Sequence, residues 1–121
     1  MIRNKLTLWR HMDYPVAMTL WEVSQTSGRR RVDLSDCTAY FVVENEAGDG
    51  YLVNAQCSID GDPTQGRIIW EPDGTEFNGL TYDSDQPKRV RCCALVVNAD
   101  GTRLFPVYGA YAEIWPDIPL L

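Results

Sequence analysis

Hydrophobic and polar positions alternate along most of this chain with the two-residue period of an extended strand. In KLTLW, Lys5 to Trp9, Leu6 and Leu8 share a side. In PVAMTLWEV, Val16, Met18 and Leu20 lie opposite Ala17, Thr19 and Trp21. The stretch VDLSDCTAYFVVEN sets Cys37, Ala39, Phe41 and Val43 on one face and Thr38, Tyr40, Val42 and Glu44 on the other, which predicts a half-buried strand with the first set inward. YLVNAQCSI follows as its hairpin partner, and in RIIWEP Ile68 and Trp70 share a face. PKRVRCCALVVN predicts a long strand with Val90, Cys92, Ala94 and Val96 inward.

Turn chemistry separates these runs. EAGDG carries Gly48 and Gly50, DGDPTQG couples Asp62-Pro63 with two glycines, and ADG connects the long strand to the last one, TRLFPVYGAYAEIW. Proline cannot donate to a strand ladder, so Pro106, with Gly109 close by, requires a bulge, an interruption or a sheet edge in that last strand. SQTSGRRR reads as a polar projecting loop. The segment Glu71 to Gln86 reads as a long loop pinned by Phe77, Leu80 and Tyr82. No window holds apolar residues at helical spacing, and no fixed repeat or low-complexity tract occurs. Seven to eight short strands with turns between them predict an all-β protein, an immunoglobulin-like antiparallel β-sandwich, as a single domain over residues 1–121 with a short apolar tail at 116–121.

Composition agrees with a folded chain. Of the 121 residues 45% are hydrophobic, and at this length roughly two-thirds of the unfolded surface can be buried without disulfide or metal staples. The longest apolar run, CCALVV, is far below the ~18 residues of a membrane span, and MIRNKLTLWR has no signal-peptide core, so an unsecreted chain with no membrane partner is expected. A formal net charge of -6 argues against nucleic acid as a partner, since phosphate binding needs clustered Lys and Arg and the one run here is Arg29-Arg30-Arg31.

Candidate chemistry is sparse. Cys37, Cys57, Cys92 and Cys93 match no zinc or haem spacing, and His11 is the single histidine. No nucleophile-elbow, HExxH or phosphate-cradling motif occurs, so no catalytic residue, metal site or cofactor is expected and the chain reads as a non-enzyme. The carboxylate pairs Asp60/Asp62, Asp83/Asp85 and Glu46/Asp49 lack the spacing of a calcium loop and read as turn residues. Cys92 and Cys93 must point to opposite faces of a strand, leaving Cys93 as the thiol available for an intermolecular link.

Four tryptophans and six tyrosines are many for this length. If Trp9, Trp21, Trp70 and Trp115 formed an exposed platform, the protein would be a carbohydrate-binding or host-receptor module. Core packing and protein interfaces account for aromatics in sandwiches more often. The interface residues expected are Trp9, Trp21, Arg29, Arg30, Arg31, Trp115, Ile118, Leu120 and Leu121, the last four in or beside an apolar, proline-punctuated tail.

From Asp33-Leu34-Ser35 through the strand Cys37 to Val43, and on to the Gly-aromatic step Gly66 to Trp70, the order of motifs resembles small phage virion proteins related to the immunoglobulin-like N-terminal domain of phage baseplate upper proteins. Ala99-Asp100-Gly101, Phe105-Pro106 and Gly109 continue the likeness, which spans about Leu6 to Asp117. The chain departs from that pattern at Gln86 to Val90, where the family often has a Gly-Thr/Ala-Tyr step. The resemblance implies a structural protein of a tailed bacteriophage virion, in the tail, baseplate, neck or capsid decoration, assembled in the host cytoplasm. Its partners would be other virion proteins and copies of itself.

Overall fold

The computed structural model describes residues 5–24 and 28–116, with 23–24 and 104–109 described through the backbone alone. Among the described residues nine strands follow one another: β1 Lys5–Trp9, β2 Val16–Thr19, β3 Trp21–Ser24, β4 Gly28–Arg31, β5 Thr38–Glu44, β6 Tyr51–Ile59, β7 Arg67–Trp70, β8 Lys88–Val97 and β9 Arg103–Trp115. One 3-10 turn at Pro63–Gln65 precedes β7. Seven strands form a curled sheet in the order β1-β9-β8-β5-β6-β7-β2, and β3-β4 form a separate ribbon. The all-β, sandwich-like class read from the alternation is therefore present.

The curl turns at β6. Its first part pairs antiparallel with β5, Ala39 opposite Cys57 and Val43 opposite Val53, while its last residues pair with β7, Ser58 opposite Ile69. Strands on both sides of the bend thus turn their inner faces toward one core. Phe41, Val43, Val53, Ile68, Trp70, Val90, Val96 and Ile114 are buried there. Trp70 sits at its centre, with ring centroids 4.8 Å from Phe41 and 6.3 Å from Phe77. Phe77 and Leu80 come from the strandless stretch 71–86, which they pin to the core as expected, and Tyr82 adds a hydroxyl hydrogen bond of 2.7 Å to the Ile114 carbonyl.

Two expectations are refined. The antiparallel sandwich contains one parallel pair, β1 on β9, with Lys5 opposite Tyr111 and Trp9 opposite Trp115. Alternation specifies a strand but not its direction relative to a distant neighbour. The single run PVAMTLWEV splits at Leu20. After Thr19 pairs with Arg67, Gly66 turns out of line at φ 69°, and the Leu20 N–H bonds the Gly66 carbonyl at 2.7 Å. The Leu20 carbonyl then accepts from Val32 N–H at 3.0 Å, which carries the chain from the sheet into the ribbon. Leu20, Val32 and Leu34 fill the junction and are all buried.

In β9 the ladder against β8 slips by one residue twice, between the pairs Val96 with Leu104 and Ala94 with Val107, and again before Cys92 with Ala110. Pro106 falls inside the first slip and Gly109 inside the second, where a missing donor and a missing side chain are tolerated.

The acidic loops are satisfied by their own turns. Asp33, Asp62, Asp73 and Asp100 each accept from the backbone N–H two residues on, that of Ser35, Thr64, Thr75 and Thr102 respectively. Hydrogen bonds to these neighbours hold all four carboxyls below their ordinary value. Among the described residues no group of three His, Cys, Asp or Glu side chains converges as a metal site would require.

Candidate functional site

Two surfaces carry most of the residues singled out from the sequence, and a third carries Cys93. The first is the β3-β4 ribbon. Arg29, Arg30 and Arg31 occupy a paired strand rather than a projecting loop, because Trp21 lies opposite Arg31 and Glu22 opposite Arg30 across it. Cross-strand pairs of this kind stabilise a short ribbon that polar composition conceals. The Arg29 guanidinium lies 4.2 Å from the Trp21 ring centroid and that of Arg31 5.3 Å away, while Arg30 pairs with Glu22 at 2.6 Å. Arg31 also donates to the Gln65 side chain, tying the ribbon to the 3-10 turn. Each cation on an indole face contributes about 0.5–1 kcal/mol at an exposed site, which biases the guanidiniums toward the ring about two- to fivefold.

The second surface is the open end of the β1-β9 pair. Trp9 and Trp115 are register neighbours there, and both are half-buried. The Trp9 indole N–H is buried and has no hydrogen-bond partner among the described residues. Nearby, Glu113 is a buried carboxylate held between Lys5 at 3.4 Å and Arg89 at 3.6 Å. Ile118, Leu120 and Leu121 lie outside the described residues.

The third surface was not singled out from the sequence: the outer face of β5, β6 and β8. Tyr40, Val42, Cys93, Leu95 and Val97 line an open groove of about 800 Å³ there, together with Tyr51, Asn54, Arg103 and the ion pair of Arg91 with Glu44 at 2.8 Å. Tyr51 is 63% exposed at its rim. The signal was present in the strand patterns. Tyr40 and Val42 among the outward positions of β5, with Cys93, Leu95 and Val97 on the same side of β8, make an apolar stretch flanked by Thr38, Glu44 and Arg91.

The tryptophans do not make a common platform. Trp70 is in the core, Trp21 lies under arginines, and Trp9 and Trp115 are half-buried at the sheet edge.

The cysteines divide as their alternation implies, Cys92 buried and Cys93 half-buried. Burial pushes the Cys57 thiol up to about 11 and that of Cys92 likewise to about 11. Burial, with the Glu44 carboxylate adding to it, raises Cys93, and burial with Asp33, Asp36 and Asp100 nearby raises Cys37. A raised thiol favours the folded state most fully below its unfolded value near 9, and that contribution is lost as pH rises toward 11. Native protein titrated with a chromogenic disulfide at pH 8 should therefore label Cys37 and Cys93 first. Cys57 and Cys92 should react only after denaturant is added, and thermal stability should fall between about pH 9 and pH 11. Fast labelling of all four thiols at pH 8 would contradict this arrangement.

What these observations define is an all-β, sandwich-like module with a cationic aromatic ribbon and an open, half-apolar sheet face. No protein-family model matches the chain, and no curated protein matches it.

Proposed function

We propose that the chain is a non-enzymatic structural module of a tailed-phage virion, built into the particle through subunit contacts. The observation that carries this reading is the β3-β4 ribbon. It stands apart from the seven-stranded sheet, yet the backbone bonds of Leu20 with Gly66 and Val32 anchor it, and Trp21 prepositions its arginines. Guanidiniums held on a rigid element bind carboxylates of a neighbouring subunit with less ordering entropy than arginines on a loose loop. The phage resemblance supplies the setting, and repetition of a modest contact by symmetry supplies the strength. A sugar-binding role is less well supported, because the Trp21 face a sugar would stack on is occupied by Arg29 and Arg31.

The test is incorporation. Purified phage particles made with the wild-type gene should contain the chain, and the combined substitution of Arg29, Arg30 and Arg31 by alanine should reduce its amount in particles while the free protein keeps its β-type circular dichroism. The proposal fails if the chain is absent from particles and the purified protein instead binds glycans with quenching of tryptophan fluorescence.

A further inference from the structure

The outer face of β5 and β8 has a property beyond being apolar: its rows are complementary to themselves. Tyr40 stands opposite Leu95 and Val42 opposite Cys93 in the antiparallel register, and one step further along the same face Glu44 is ion-paired with Arg91. A twofold axis running along the strand direction, above the seam between β5 and β8, lays β5 of one copy over β8 of the other at the same height. Tyr40 then meets the second copy's Leu95 and Val42 its Cys93. Glu44 meets the second copy's Arg91 while Arg91 meets its Glu44. Each of these three rows finds across the interface the kind of group that it already has beside it, and the next row brings Thr38 against the second copy's Val97.

We propose that this face is a homodimer interface, with a second copy of the chain packed sheet against sheet. Sheets stack face to face in this way at about 10 Å, with their strand directions aligned to within about 30°. Closed twofold pairing requires a self-complementary patch, and these three rows supply one. Half-burial of Tyr40, Val42, Cys93 and Leu95 leaves apolar surface for a partner to cover, and Tyr51 at 63% exposure provides an aromatic at the border. The proposal specifies the self-contact within the assembly reading above and rests on that reading only for its setting.

Sedimentation velocity on the full chain from micromolar to millimolar concentration is expected to show a monomer–dimer equilibrium. Glu44→Arg and Arg91→Glu each place like charges across the axis and should weaken self-association by about tenfold or more. Mixing the two variant chains restores opposite charges only between molecules, so the mixture should form dimers that neither variant forms alone. A short bismaleimide should link wild-type chains through Cys93, because the two thiols lie diagonally across the seam, and Cys93→Ser should abolish that product. This arm stands even if a charge variant fails to fold. The inference is overturned if the wild-type chain stays monomeric throughout, or if the mixed variants gain no dimer and cross-linked peptides do not contain Cys93. Particle incorporation without a solution dimer would sink this interface and leave the virion reading standing. A dimer in solution with no incorporation would do the reverse.

Discussion

Trp70→Ala is expected to lower the free energy of unfolding by about 3–5 kcal/mol, a large share of the ~5–15 kcal/mol that holds a domain of this kind together. Trp70 is fully buried, and its ring is the link between Phe41 of β5 and Phe77 of the stretch 71–86. Removing it leaves a cavity whose walls belong to three separated parts of the chain, so collapse around the gap is hindered. The loss should be visible as a fall in the urea midpoint with little change in slope. Trp21→Ala is the useful comparison. That ring is half-buried on the ribbon, so its removal should cost only about 1–2 kcal/mol from lost area and two cation contacts. Similar losses for the two variants would mean that Trp70 is not the centre of the core.

Gly66→Ala is the second large effect, and its cause is backbone rather than core. At φ 69° an L-residue is strained by about 1–2 kcal/mol. A methyl group there would also lie 2.8 Å from the Leu20 carbonyl oxygen and 3.0 Å from both Val32 N and Val32 O. The Leu20 carbonyl and the Val32 N–H are hydrogen-bonded to each other where β2 passes into the ribbon, so neither yields without breaking the junction. A total loss of about 3 kcal/mol or more is expected, and each kcal/mol moves the thermal midpoint of a domain of this size by about 3–6 °C. Gly61→Ala separates the two causes. Gly61 has the same φ of 69° but nothing within 4 Å of the added carbon, so only the strain should register. Equal losses at the two positions would contradict the account of a crowded junction.

Much of this was legible in the alternation. The inward sets of β5 and β8 are buried as expected at Ala39, Phe41 and Val43 and at Val90, Cys92, Ala94 and Val96, whereas Cys37, also expected inward, precedes β5 and is half-buried. Pro106 and Gly109 marked the two slips of β9 because a missing donor or side chain is a local property that sequence displays directly. What was not legible depends on contacts between distant segments. The ribbon hid in SQTSGRRR because its stabilising partners, Trp21 and Glu22, looked like the continuation of another strand. Leu20 fitted the pattern on both sides, and only the close approach of Gly66 reveals that the chain changes sheets there. The outer face of β5 and β8 was visible as apolar outward positions, but its row-by-row complementarity needs the register, which neither strand encodes alone.

The parallel β1-β9 pair bears on how the molecule comes to be folded. Lys5 and Tyr111 are pairing partners although nearly the whole chain separates them. The β5-β6 and β8-β9 hairpins close short loops and can form early, whereas β1 has no ladder partner until β9 has been synthesised and docked. Among the described strands β1 is the earliest made and its ladder partner β9 the latest. Until the two pair, the β9 edge lies open in the nascent chain, so the interval between synthesis and closure is when this protein is most exposed to mispairing with its neighbours.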